Sequence, residues 1–411
     1  MEANPRQALN LNDDAEYDFL NAGLGIEADI NSNNKFQINF AYGRRDGGYN
    51  MESWFSFVSS ILETFAITPR FISTNPLLGK ENKFILGIDF YNQPLKIKQY
   101  LERERINLFN EANVRKKSTG FYFQNDFYIT ENLILALGGR YENACISAQD
   151  TNNPLESKDF EGIAYKSSFT YFVPEKTKIF FKYDRIYRYP FTDEIAYYYG
   201  FAPVVFFNKD LKPEKGNSFE LGTEIYSLKN LKLGLSIFYN IIEDEIFYNP
   251  LTWMNENIGR TKRFGIEFKG DWKLTDFIDF HWIYTYIDAK LDYEPYENKR
   301  IPLVPVHKGV VGLTFNLPKD FSLSTNIVLT DDFYLGGDYD NNQEPIPGWT
   351  TFDIFLNYKP KKFEKNGLNI YFGIENLFNK IYSNYGFEGW SGNIYYPASG
   401  RNIKGGISFK F

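Results

Sequence analysis

The chain has 411 residues and a net charge of −7, and aromatic side chains make up 19% of it, with 40 Phe and 31 Tyr. That charge excludes a nucleic-acid protein, which needs a basic stripe, and the absence of any run of about 18 apolar residues excludes a membrane-spanning helix. The single cysteine, Cys145, excludes an internal disulfide framework and a multi-thiolate metal site.

Period-two alternation runs through the chain, and the aromatic and β-branched richness favours strands. About 17 strands are predicted, starting near residues 17, 35, 60, 83, 117, 132, 160, 176, 215, 231, 258, 277, 304, 320, 350, 367 and 400. In the fourth, Phe84, Leu86, Ile88 and Phe90 share one face, with Ile85, Gly87 and Asp89 opposite. Further along, Phe219-Leu221-Thr223-Ile225 faces away from Glu220, Gly222 and Glu224, and Leu231-Leu233-Leu235-Ile237 from Lys232, Gly234 and Ser236. The last strand places Ile403, Gly405, Ile407, Phe409 and Phe411 on one face and Lys404, Gly406, Ser408 and Lys410 on the other. Cys145 follows the strand-like stretch Leu133–Leu137 and reads as a small apolar residue.

The connections alternate in length. Short ones are predicted at Ser32–Asn34, around Thr130–Asn132, and at Pro174–Lys176, Lys229–Asn230, Leu317–Asp320 and Pro360–Asn366. Long ones are predicted at Gln93–Lys116, Gln149–Phe160, Tyr189–Pro213, Glu243–Glu256, Asp331–Pro347 and Tyr382–Pro397. Short periplasmic turns and long outer loops characterise a transmembrane antiparallel β-barrel, with apolar side chains toward lipid and polar ones toward the lumen. The expectation is therefore an all-β outer-membrane barrel in contact with membrane lipid. An odd strand count that ends on the periplasmic side starts the chain on the outer side, whereas single-chain bacterial barrels carry even counts.

Several strings resemble TonB-dependent outer-membrane receptors. The pair Gly373–Lys380 with Tyr382, then Tyr396–Asn402 before the last strand, is similar to the family's closing strands. Arg185–Pro190 with Asp193 and Glu194, Leu211–Glu214 before Phe219–Gly222, and Asn257 with Arg263–Glu267 follow in the family's order. So do Ile301–Lys308 and Gly348–Asp353. The resemblance covers residue 17 to the end and implies about 22 strands around a plugged lumen. It also implies a signal peptide, a TonB-contacting segment and a plug, none of which precedes residue 17. The expected organisation is a terminal edge over 1–16 and the C-terminal portion of a receptor barrel over 17–411, incomplete and not transport-competent alone. TonB and a plug become partners only if that missing part is supplied.

For function, the resemblance implies TonB-coupled uptake of a scarce nutrient, most often an iron–siderophore, with the small-molecule ligand meeting aromatic and charged side chains on the loops. Candidate contacts are Tyr382, Tyr385, Phe387, Trp390, Tyr395 and Tyr396 on the last long loop. Tyr197, Tyr198, Tyr199, Phe201, Phe206 and Phe207 on an earlier one are the second group. Such rings can stack on a chelate or receive its cationic parts; the competing reading for each is an interfacial girdle or loop-on-loop packing. Asp338, Asp340, Asn342 and Glu344 alternate in a loop, but Gln343 stands where a calcium-binding EF-hand needs glycine, so a solvated acidic loop is expected. Arg401 is a candidate to pair with a lumen carboxylate such as Glu375.

No cofactor, metal or catalytic set is expected. The two histidines, His281 and His307, lie in strand-like stretches without a nucleophile-elbow or His-x-x-x-His pattern. The alternatives are a self-contained passive-diffusion barrel, which predicts an even, closed sheet, and an outer-membrane enzyme, which predicts a Ser or Asp beside one of those histidines.

Overall fold

The computed structural model describes residues 12–409, apart from 53–54, 175, 198–205, 250–251, 253, 362–366 and 390–391. Alternation and turn chemistry give a meander in which each strand pairs antiparallel with the next. Its first half comprises β1 (Asp14–Asn31), β2 (Asn34–Met51), β3 (Ser56–Ser73), β4 (Asn82–Tyr100), β5 (Leu108–Thr130), β6 (Leu133–Gln149), β7 (Glu156–Val173) and β8 (Thr177–Arg188). After the single turn of helix α1 (Thr192–Ile195) come β9 (Glu214–Leu228), β10 (Leu231–Asn249), β11 (Met254–Lys273), β12 (Ile278–Leu291), β13 (His307–Leu317), β14 (Phe321–Thr330), β15 (Trp349–Tyr358) and β16 (Asn369–Glu375). The hairpin β17 (Ser383–Gly389) and β18 (Gly392–Pro397) stands apart, and β19 (Asn402–Ser408) pairs with β16.

The main sheet is thus 17-stranded, as the alternation predicts. Among the described residues no ladder joins β19 to β1, and β1 is exposed along its whole length. Proline interrupts the β3–β4 ladder twice. Pairing skips from Leu62↔Leu95 to Phe65↔Asn92, beside Pro94, and from Ile67↔Phe90 to Arg70↔Gly87, beside Pro69. Proline has no N–H to give to a ladder.

The register aligns the expected apolar faces into continuous rows. One runs Phe36, Phe71, Leu86, Phe123, Gly139, Tyr165 from β2 to β7. Another runs Ile237, Ile266, Tyr286 from β10 to β12, and the last strands add Leu356, Phe372, Gly405. Large apolar residues on this face, such as Leu86, Phe123 and Ile237, are 51%, 44% and 41% exposed, which a chain in water has no reason to do. The opposite face carries charge. Arg140 bonds Asp89 at 2.6 Å and Glu142 at 2.5 Å, Lys182 meets Glu220 at 2.9 Å, and Lys404 meets Glu375 at 2.6 Å. Glycine at 120 lets the Arg140 guanidinium lie flat against β5; a Cβ there would collide with it.

Above this band, at the long-loop end, the polarity of β4–β7 inverts. Leu95, Ile97, Val114, Ile146 and Phe160 occupy the inward positions and are buried, while Lys96, Arg115, Lys117 and Asp159 take the outward ones. The segment following β8 folds onto that inner surface, adding Tyr189, Ile195, Phe206, Phe207 and Leu211 to one cluster reaching from Val58 of β3 to Ile246 of β10.

This inversion corrects three of the predicted loops. Strands β4 and β5 run through most of Gln93–Lys116, leaving a connection of 101–107. Likewise β6 ends at Gln149 and β7 starts at Glu156, and β10 and β11 run into Glu243–Glu256. Their outward side chains are polar because water, not lipid, faces them, so they read as loop.

Candidate functional site

The described aromatic candidates gather at the long-loop end, on two separate supports. In the hairpin β17–β18 the register pairs Tyr385 with Tyr396, Phe387 with Ile394 and Gly386 with Tyr395. Tyr385, Phe387 and Tyr396 therefore share one face, with ring centroids 5.4–6.2 Å apart. Tyr395 lies on the other. The Tyr385 hydroxyl is held above its ordinary pKa by burial and then by Tyr396.

A second layer fixes this face in place. The N–H of Gly336 donates to the Gly386 carbonyl at 2.9 Å, and that of Glu388 donates to the Gly336 carbonyl at 2.9 Å. Position 386 must be glycine here, since a Cβ would lie 2.9 Å from both the Ile394 carbonyl and Leu335, and 3.0 Å from Ile346. Phe333, Leu335 and Ile346 form a small buried core under the hairpin. Tyr382 stands at its base, its ring 4.3 Å from that of Trp349. Tyr382 and Tyr395 line a cavity of about 680 Å³ with Ile346 and Ile394.

The second group of candidates divides differently. Phe206 and Phe207 are buried in the large cluster, 8% and 3% exposed. The Tyr197 hydroxyl accepts the Asn255 N–H at 2.8 Å. Trp390, Tyr198, Tyr199 and Phe201 lie outside the described residues, as does Phe411.

The sequence reading missed a third aromatic group. Tyr296 lies 5.7 Å from both Tyr293 and Tyr339, and Tyr339 lies 6.1 Å from Phe247. Burial pushes the Tyr293 hydroxyl up to about 12, helped by Tyr296 and Glu256. At the end of β10, the Tyr248 hydroxyl is raised by burial and then by Tyr385 and Tyr197. The only sequence signal for this group was Tyr293-x-x-Tyr296, and its third ring comes from a separate loop.

The acidic loop is only partly solvated. Asp338 is 2% exposed, and its carboxylate accepts the N–H groups of Asn342 and Gln343 at 2.9 and 3.1 Å. It caps a turn, and among the described residues no group of carboxylates and histidines is arranged to hold a metal. Glu375 pairs with Lys404 and receives Asn402. His281 shares a 2.9 Å hydrogen bond with Asn326, and His307 a 2.7 Å one with Tyr284.

The strings that carried the resemblance are clamps. Arg188 bonds Glu194 at 2.8 Å and Glu214, from the Leu211–Glu214 string, at 2.5 Å. The Asn257 side chain donates to the carbonyls of Lys212 and Asp244 and accepts the Lys212 N–H at 2.7 Å. The Asn376 side chain bridges the Lys380 N–H and carbonyl, 2.8 Å each, while Asp353 accepts the Asn376 N–H at 2.8 Å. These bonds close strand ends onto loops.

A family model for the TonB dependent receptor-like β-barrel matches residues 3–377. The chain belongs to that family. Its members reside in the Gram-negative outer membrane and are transporters without enzymatic activity, so the apolar face described above is the lipid face. An "Uncharacterized TonB-dependent receptor" of Haemophilus influenzae is 26% identical over 326 residues, 71% of this chain and 84% of the relative. "TonB-dependent heme receptor A" of the same species is 25% identical over 379 residues, 76% of this chain and 50% of the relative. Among solved structures, the siderophore receptor PiuA from Acinetobacter baumannii superposes with a TM-score of 0.78 at 16% identity, covering 97% of this chain and 65% of that one. The unliganded ferric citrate transporter FecA gives 0.77 at 17%, covering 100% and 64%. The chain thus spans half the length of the heme receptor and under two thirds of either solved transporter.

Proposed function

We propose that this TonB-dependent receptor-like barrel takes part in TonB-coupled import of an iron chelate across the outer membrane. The observation that carries the reading is the aromatic face of Tyr385, Phe387 and Tyr396, held by the Gly336–Gly386 bonds at the end from which a ligand arrives. Flat, partly exposed rings suit a planar or aromatic-rich chelate. The names of relatives support the same class: a heme receptor, a probable siderophore receptor and a ferrioxamine B receptor are among them. Coupling to TonB, and a plug that responds to it, belong to this proposal too.

The test is fluorescence titration of the purified chain with ferric catecholate, ferric hydroxamate and hemin. One of the three binds, and Tyr385→Ala with Tyr396→Ala weakens it by about tenfold or more, as expected for aromatic anchors that a bound ligand covers. Binding of none by a protein with intact strand content rejects the reading.

A further inference from the structure

We propose that the chelate taken up through this barrel is an amphiphile. Its iron-binding head lies on Tyr385, Phe387 and Tyr396, and an acyl chain attached to that head fills the cavity beside β18. The class of chelate named here rests on the iron-chelate import proposed above. The cavity, about 680 Å³, runs along β18, which among the described residues pairs with β17 alone. The segments Ile346–Gly348 and Lys380–Tyr382 bound it on its other sides. Concave sites of about 300–1,000 Å³ hold small molecules, whereas a stable protein partner needs a face of about 800 Å². One chain is what fits.

Three features of the cavity select an acyl chain. First, its walls are apolar. Ile346, Pro347, Ile381 and Ile394 contribute to them, and among the described residues Lys380, itself exposed, is the one charged side chain there. By contrast, the cavity of about 550 Å³ at the β10–β12 turns has Lys232, Asp271, Lys273 and Asp279 in its wall. An ionised body between isoleucines would lose its hydration with little in return, and a hydrocarbon chain loses none.

Second, the apolar surface is open. Ile381 and Ile394 stay exposed beyond the ends of β15 and β16, although Ile346 in the same wall is fully buried. Filling the cavity removes both from water, which is the favourable direction for apolar surface.

Third, the cavity is continuous with the aromatic face. Ile394 stands opposite Phe387 in the hairpin ladder and two residues before Tyr396, so these side chains share one face with Tyr385. No polar residue interrupts that face between the rings and the cavity wall. A chain tethered to a head already bound on the rings reaches the cavity at high effective concentration, an advantage that a free lipid lacks.

The experiment is fluorescence titration of the full chain in detergent with a ferric trihydroxamate and a ferric tris-catecholate, each carrying either an N-acetyl or an N-octanoyl group. Full burial of one methylene strengthens binding by roughly fourfold, so partial burial of the six added ones gives about tenfold or more. That preference for the octanoyl form of one head, falling to within about twofold in Ile394→Asn, supports the proposal. Equal affinity for the two acyl forms overturns it and leaves chelate import standing. A preference that Ile394→Asn does not reduce assigns the chain to the detergent and also overturns it. Should Ile394→Asn release the hairpin, Ile381→Asn on the other lining segment is read by the same two outcomes. Binding of none of these probes overturns the amphiphile as well, and titration with hemin then decides whether iron-chelate import survives it.

Discussion

Strands β4–β7 contain two regions that obey the same alternation with opposite sign. Within the membrane band Leu86, Phe123 and Leu137 point out, and Asp89 and Arg140 point in. A few residues further along the same strands, Lys96, Arg115 and Ser147 point out, and Leu95, Val114 and Ile146 point in, at 8%, 2% and 0% exposure. The alternation itself continues from one to the other. What changes is the solvent: lipid outside and water inside for the band, water outside and a folded-in loop inside for the collar. The level at which polarity flips therefore marks the outer membrane boundary.

Truncating the collar interior tests this most severely. Ile146→Ala removes a fully buried side chain between β5–β7 and the loop carrying Ile195, and is expected to cost about 2–5 kcal/mol. Ile134→Ala, an inward position of the band on the same strand, faces a half-exposed lumen wall and should stay within about 0.5 kcal/mol. Urea unfolding in lipid vesicles measures both, and equal costs would remove the distinction between the regions.

Reversing the outward positions comes next. Leu137→Lys places a charge on the lipid face, expected to cost about 2–4 kcal/mol if near the bilayer midplane. Ser147→Lys, ten residues along β6 on the same face, should cost no more than about 1 kcal/mol, the repulsion from Arg115 directly opposite it being screened by water. Were both equally damaging, the boundary would lie above β6's last turn of sequence and not between Tyr141 and Ser147.

Ion pairs sharpen the comparison further. Glu214 in the collar accepts from Arg188 and from the Ile246 N–H at 2.8 Å, with its side chain only 15% exposed. Glu214→Gln is expected to cost about 1.5–3 kcal/mol and to speed proteolysis of the Tyr189–Pro213 segment. The band pair Lys182–Glu220 is more open, 45% and 29% exposed, so Glu220→Gln should cost about 0–1 kcal/mol.

How much of this was legible follows from the same physics. The strand order and lipid face were readable because a period of two against lipid leaves Phe, Leu and Ile on every second position, as in Phe84–Phe90. The upper parts of β4 and β5 were not, because Lys96, Lys98 and Arg115 look like loop until one knows that Leu95, Ile97 and Val114 are covered from inside by a distant segment. The hairpin β17–β18 alternates too, Tyr385 and Phe387 against Gly386, but its docking on Gly336 is a long-range contact that no local pattern encodes. Phe206 and Phe207 show the limit for sites: aromatic loop residues that serve a core and those that stay open have the same local sequence.

The hairpin itself carries the smallest and most specific expectation. Glu388 is held above the ordinary glutamate pKa by burial and then by the charges of Asp338 and Asp340. A carboxyl raised in the folded state binds more protons there than when released, so the folded hairpin loses stability as pH climbs from the ordinary glutamate value through the raised one. Docking of the hairpin on Gly336, read as hydrogen-exchange protection of the Gly336 and Glu388 amides corrected for intrinsic exchange, should be stronger at mildly acidic pH than at neutral pH. In Glu388→Gln that slope should flatten while the bonds to Gly336, which are backbone bonds, persist. An unchanged slope in the variant would mean that Glu388 does not set it; a lost hairpin would mean that the Glu388 carboxyl holds the structure and does not merely oppose it.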